Sequence, residues 1–479
     1  MSRRVEAVAC IAFCVACGSS PGAEPEKDAG SSTTPDAQVP NPDAGPTCTT
    51  QAPPTSGYFV SPSGSASGDG TAGKPWDLAT ALASTTVPPG STIWLRGGTY
   101  TGVFVSTLKG ASGNPITVRG SPGEHAVLDS VNKGQSLTIK GAWTTFQDFE
   151  ITNSDPQRWF DAYVGGANRF DCIENDGPNT KIVHLVLHDC GMGIGLWSAA
   201  TDAEVYGSVI FYNGLDAPDR GHGHAIYVQS TPTSTKLLED NILFRQFSYG
   251  VHGYTENGNI DNIQAVGNIA FNTGELSKVS GFKTNILIGG LHVANAPRVI
   301  SNATYSPAGK GVADNIGYSA GSSGAIVQGN YFVGGTALKL VAATDVQSIE
   351  NNTFVGTLSG FSASTYPNNT FATAPAGTQT LVRPSKYEPG RAHVAIYNWD
   401  GQGTVMVDVS KALTPGTAYE IVDAQDPLGA PIATGTYTGA SIPFPMTSTK
   451  VAVPIGNVGN QPVHTSIEFG AFILRAACP

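Results

Sequence analysis

Leu238-Glu239-Asp240-Asn241-Ile242, Ala265-Val266-Gly267-Asn268-Ile269, Ile300-Ser301-Asn302-Ala303, Val327-Gln328-Gly329-Asn330-Tyr331 and Ile349-Glu350-Asn351-Asn352-Thr353 are five versions of one short pattern. Its asparagine returns after 27, 34, 28 and 22 residues, followed each time by strand-forming residues. A fixed motif at variable spacing is what stacked coils with loops of unequal length produce. An asparagine buried at the same turn of successive coils can bond to its counterparts one strand spacing, about 4.8 Å, above and below. The asparagines are therefore read as structural.

A second series lies between them: Gly193-Ile194-Gly195-Leu196-Trp197, Ala225-Ile226-Tyr227-Val228-Gln229, Gly250-Val251-His252-Gly253-Tyr254, Asn285-Ile286-Leu287-Ile288 and Ala337-Leu338-Lys339-Leu340. Period-two alternation turns Ile194, Ile226, Val251, Ile286 and Leu338 inward and their neighbours outward. One coil alone cannot bury its apolar face, so the coils must stack as a parallel solenoid. Composition agrees. Of 479 residues 58 are glycine, only four are methionine and 13% are charged, which excludes a helix bundle and favours short strands with tight turns. The net charge of −11 argues against nucleic acid or an anionic membrane as partner.

Residues 1–17 read as a signal peptide: Arg3 and Arg4 precede an apolar stretch, and Cys14-Val15-Ala16-Cys17 resembles a bacterial lipobox with Cys17 as the lipidated residue. Residues 18–57 have the Pro, Ser and Asp content of a flexible tether. Four cysteines remain, Cys48, Cys172, Cys190 and Cys478, and three pairings into two disulfides are open. Cys172 with Cys190 joins neighbouring coils, which leaves Cys48 for Cys478.

The start of the body, Tyr58-Phe59-Val60-Ser61-Pro62-Ser63-Gly64-Ser65, Gly73-Lys74-Pro75-Trp76 and Pro89-Gly90-Ser91-Thr92-Ile93-Trp94-Leu95-Arg96-Gly97-Gly98-Thr99-Tyr100, resembles the right-handed parallel β-helix proteins of the pectate-lyase-like group. The resemblance covers about residues 58–375. It implies an all-β solenoid with a helix through Ala83 capping its open end, and extracellular polysaccharide as the substrate class. Residues 376–479 alternate strands with Gly and Pro turns and read as a small β-sandwich accessory module, which either binds sugar or packs on the solenoid's C-terminal end.

Outward positions of the second series gather candidate chemistry. Tyr227 and His252 share one column, and Trp197, Gln229 and Tyr254 the next. For β-elimination on a uronate polymer, His252 with Tyr254 or Tyr227 are the expected base and acid, and Lys283 or Lys339 the carboxylate neutraliser. Asp216, Asp219, Arg220, His222 and His224 form a polar cluster expected to bind substrate. Gly221-His222-Gly223 resembles a motif of polygalacturonase-type hydrolases, although His188-Asp189-Cys190 has one acid where that family has two. Asp161, Asp171, Glu174 and Asp176 are oxygen ligands suited to calcium, the one cofactor considered. The expectation is an exported, outer-membrane-anchored or secreted monomer acting on an acidic polysaccharide as a lyase. It touches membrane only through its lipid. The alternative is a non-catalytic glycan-binding or adhesive lipoprotein, with a hydrolase third.

Overall fold

The computed structural model describes residues 54–477. Cys17, the 1–17 signal region, most of the tether, Cys48 and Cys478 lie outside the described residues. Among the described residues, no helix is long and apolar enough to cross a membrane.

Eleven short parallel strands, from Tyr58–Val60 through Glu204–Tyr206 to Ser348–Glu350, form one face of a solenoid. At its corner each coil places a residue in the left-handed region immediately before the motif's asparagine: Asp240, Gly267, Ser301, Gly329 and Asn351 have φ between 52° and 67°. This conformation favours glycine and short polar side chains, which is why the residue before the asparagine is Asp, Gly, Ser or Asn. The bend aims the asparagine into the interior. Asn241 Nδ2 donates to Asn268 Oδ1 at 2.9 Å, and the chain of bonds continues through Asn302, Asn330 and Asn352 to Asn369. Each acceptor oxygen also takes the backbone N–H of the preceding asparagine, and each amide reaches a carbonyl of an earlier coil, such as Asn302 Nδ2 to Ala265 O at 2.9 Å. Ser208 occupies the rung before Asn241. The ladder thus satisfies corner groups that would otherwise be orphaned in the core.

Two further columns of parallel strands complete the coils. One runs through Ile194–Leu196, Ile226–Val228, Val251–Gly253, Thr284–Ile288 and Val312–Ile316, the other through Val186–His188, Val209–Phe211, Ile242–Phe244, Ile269–Phe271 and Ala303–Tyr305. Ile194, Ile226, Val251, Ile286 and Leu338 face inward and are fully buried. A helix, Leu78–Leu82, packs Leu78, Ala81 and Leu82 into this core, its N-terminus capped by Asp77 accepting from Thr80 N at 2.8 Å.

Residues from Thr378 onward form a five-stranded antiparallel sheet and a separate two-stranded antiparallel sheet, Thr404–Val407 with Ile442–Pro445. The sheet lies along the solenoid's side. Phe211, Phe244 and Phe271 stack outward at centroid spacings of 5.0 and 4.9 Å, and Tyr305 stacks on Phe469 at 4.6 Å. Ala395, Tyr397, Val422, Ala471 and Ile473 complete this shared core. Tyr397 donates its hydroxyl to Thr304 O at 2.9 Å. The module's other face has its own core around Val394, Ile421, Phe444 and Phe472.

One inward position breaks the apolar column. Asp314 pairs in register with Ile286 and Leu338, is fully buried, and has no hydrogen-bond partner on either carboxyl oxygen. Burial holds its pKa well above the ordinary carboxylate range. The folded state therefore keeps a proton that the unfolded chain releases above about pH 4, and the group's contribution to stability falls as pH rises past that point. Asp314→Val is expected to stabilise the protein by about 2 kcal/mol or more at neutral pH. In chemical denaturation the gain should be larger at pH 8 than at pH 4, and an equal gain at both would contradict the titration.

Candidate active site

The outward residues of the second column line a cleft of about 580 Å³. Register fixes its floor. Glu174 pairs with Gly195, Gly195 with Tyr227, and Tyr227 with His252. Projecting the same register three residues upstream aligns Met192, His224 and Tyr249, and two residues downstream aligns Trp197, Gln229 and Tyr254. All of these but Gly195 line the cleft. Gly195 leaves open the space over which Trp197 folds, since a Cβ there would meet the indole at 2.9 Å.

The aromatic rings form a continuous surface. Trp197 tilts against Tyr227 at 5.4 Å, Tyr227 meets His252 edge-on at 4.9 Å, and His252 stacks between Tyr249 at 4.6 Å and Tyr254 at 5.0 Å. Tyr318 meets Tyr254 edge-on. One wall is the antiparallel hairpin Leu215–Asp216 with Gly221–His222. Tyr163, from the long excursion before Cys172, stacks on His222 at 3.6 Å. At the base Cys172 and Cys190 form a disulfide between the segments carrying Asp171 and Met192.

Burial pushes His252 down to about 3, with the charge of Arg220 adding to the effect. The imidazole is neutral at physiological pH, and its Nδ1 has no partner. Burial also takes His224 well below the usual range, and its Nδ1 accepts Tyr249 N–H at 3.2 Å, leaving Nε2 as the donor. Burial raises Tyr227, Tyr249 and Tyr254, which stay protonated. Asp171 is raised well above normal by burial and then by Glu174; Glu174 is itself raised by burial while Trp197 Nε1 donates to it. The charge of Glu174 thus opposes ionisation of the buried Asp171. Arg220 is exposed at the rim, and its neighbour Asp219 pairs with His222 at 3.0 Å.

Of the sequence-derived candidates, the cleft brings together His252, Tyr254, Tyr227, Lys283, Trp197, Gln229, Arg220, His222, His224, Asp171 and Glu174. Lys339 is not among them. It stands in the His252 column, but Leu287 and Asn315 intervene, so three strand steps, about 14 Å, separate the two. Asp216 is not a substrate ligand either. It is a buried residue of the hairpin itself, its carboxylate turned away from the lining and accepting from Ser277 Oγ at 2.5 Å and Lys278 N at 3.1 Å. Asp219 serves His222 from outside the lining. Asp161 is exposed on the excursion and Asp176 lies off the lining. Among the described residues, no three of the carboxylates expected for calcium bring ligand oxygens within 4.8 Å of one another. Sequence reading missed Tyr163, Arg169, Met192, Tyr249, Glu256 and Tyr318. The Met192, His224 and Tyr249 column was available by extending the repeat alignment three residues upstream; the others sit on irregular loops.

The family model of the Pel9A-like right-handed β-helix region matches residues 58–189. Pectate lyase L of Thermoclostridium stercorarium is 31% identical over 121 residues, which is 24% of this chain and 9% of that enzyme's length. Among solved structures, pectate lyase Pel9A aligns over 67% of this chain and 80% of its own at 16% identity and a TM-score of 0.44. An alginate lyase from Paenibacillus sp. str. FPU-7 aligns over 56% and 96% at 18% identity and 0.35, and a GH136 lacto-N-biosidase from Eubacterium ramulus over 66% of each chain at 12% identity and 0.42. The matched family segment ends before Trp197, Arg220, Tyr227 and His252.

The disulfide closes an 18-residue separation that contains Glu174 and is flanked by Asp171 and Gly191. Replacing both Cys172 and Cys190 by alanine is expected to cost about 3 kcal/mol, read as a lower denaturation midpoint, with no effect of reductant on the double variant.

Proposed function

We propose that this chain, whose solenoid belongs to the pectate-lyase-like right-handed β-helix family, is a polysaccharide lyase that cleaves a uronate-containing glycan by β-elimination. The observation that carries this reading is a neutral, desolvated His252 set among protonated tyrosines under one exposed arginine, Arg220.

The uronate carboxylate binds Arg220, with His224 Nε2–H as a second donor, and this charge neutralisation makes the C5 proton more acidic. His252 takes that proton. Its imidazole is available because burial keeps it neutral, and a carboxylate on Arg220 offsets the positive charge that lowers its proton affinity. The C5–H electron pair becomes the C4=C5 double bond as the C4–O bond breaks, and Tyr227 or Tyr254 gives the departing oxygen its proton. Trp197 and the tyrosines stack on sugar faces. Lys283 supplies a further cation on the lining, beside Arg220 and the buried Arg169. The Cys17 region and the polysaccharide partner lead us to infer export with lipid anchoring. A Cys17→Ser variant that still partitions with membranes would count against the anchor.

A non-catalytic glycan-binding role is the second reading, favoured by the aromatic surface and by the excess negative charge, which opposes an anionic polymer at long range. Incubation with pectin, alginate and glycosaminoglycan panels decides between them through the far-ultraviolet absorbance of the unsaturated uronate. His252→Ala is expected to lower kcat by about 10²- to 10⁴-fold, and Arg220→Ala to raise KM and lower kcat together. The kcat/KM profile should show no acid inflection between pH 5 and 8, because His252 protonates only near 3. Binding without unsaturated product on every polymer would sink the lyase reading, and new reducing ends without unsaturation would move the chemistry to Asp171 and Glu174 as a hydrolase.

A further inference from the structure

The left-handed corner that precedes each ladder rung also projects side chains outward. Val183 pairs with Gln147 and with Tyr206, so Asp148, His184 and Gly207 are successive occupants of this corner, all with positive φ. The His184 ring lies over Gly207, where a Cβ would come within 2.5 Å of Cδ2. The absent side chain therefore fixes the ring's orientation. The ring is 1% exposed, and its Nε2 lies 3.0 Å from Ser385 Oγ of the C-terminal module. Its Nδ1 has no hydrogen bond and faces two carboxylates, Asp148 Oδ1 at 3.4 Å and Glu388 Oε2 at 3.5 Å.

These separations are long for N–H···O bonds. They match the edge of a tetrahedron, about 3.3 Å, for ligands bound at roughly 2.0–2.1 Å. Among the described residues this is the one group of three that gathers ligand atoms in this way. We propose that Asp148, His184 and Glu388 form a zinc site that clamps the C-terminal module to the solenoid.

Local bonding supports the assignment. Asp148 keeps Oδ1 for the ion because its Oδ2 is held by Arg119 at 2.6 Å and Gln147 at 3.0 Å. Ser385 Oγ receives the N–H groups of Tyr387 and Glu388 at 3.2 and 3.1 Å, which shapes the turn that presents Glu388. A neighbouring cavity of about 200 Å³, lined by Asp148, His184 and Arg391, gives access and room for a water as fourth ligand. Arg391 touches Glu388 only at 3.4 Å, a contact an ion can replace. A nitrogen and two carboxylates suit zinc better than calcium, which takes six to eight oxygens.

The full chain, stripped with chelator and dialysed against zinc chloride, should retain one zinc per molecule by elemental analysis and show a higher Tm than the stripped form. Glu388→Gln, a partly exposed position that leaves the fold intact, and His184→Ala should each weaken zinc binding in calorimetry by at least about tenfold and abolish the zinc-dependent shift. If His184→Ala fails to fold, Glu388→Gln decides alone. Wild-type protein that holds no zinc after dialysis, or Glu388→Gln with wild-type stoichiometry and affinity, overturns the proposal and leaves a proton on Nδ1 as the bridge between the carboxylates. Neither result depends on lyase activity.

Discussion

Every feature of this molecule depends on coils staying in register at the spacing of hydrogen-bonded parallel strands. Backbone ladders alone permit slippage, and a shift of one residue would exchange inside for outside. The asparagine chain from Asn241 to Asn369 removes that freedom, because each amide must meet both its neighbour's carbonyl and a backbone group of an earlier coil. With the corners pinned, a side chain's column is decided by its distance from the corner. Tyr227 and His252 are neighbours for that reason, although 25 residues separate them.

The same constraint explains the low charge. The corners are solvated or bridged by neutral amides and hydroxyls, and the few charges are concentrated where coils meet something else. Arg158, carried by the excursion before Cys172, pairs with Asp189 at 2.7 Å with both side chains buried, while Asp189 also accepts Ile455 N from the C-terminal module. His188, raised to about 10 by bonds to Asp189 and Glu150 that outweigh its burial, continues this network beneath the module. Buried ions of this kind are satisfied from several elements at once, so they fix relative positions more than they add net stability.

The stacked coils, the inward column and the asparagine turn were legible in the sequence because each repeats at a recognisable offset. The floor of the cleft followed from the same offsets, which place His252 beside Tyr227 and Tyr254. Lys339 was misjudged because a column gives direction but not distance: it shares a line with His252 three coils away. Asp216 was misjudged because a polar residue in a turn looks solvated until the neighbouring segment, here Ser277 and Lys278, closes over it. The walls of the cleft were not legible, since Tyr163 and Tyr318 lie on excursions without periodicity. The C-terminal module's position along the flank has a signal in the sequence: Val209-Ile210-Phe211, Ile242-Leu243-Phe244 and Ile269-Ala270-Phe271 are apolar on both faces, so something must cover their outer side.

The phenylalanine file beneath the module bears on how such a chain diversifies. A catalytic solenoid with a separable appendage can exchange that appendage by recombination at a linker. Here Phe211, Phe244 and Phe271 belong equally to both partners, and a solenoid that lost residues after Thr378 would present a greasy strip several coils long to the surrounding water. The two parts therefore share one core and cannot be separated without exposing it, whereas the loops that wall the cleft take no part in that core.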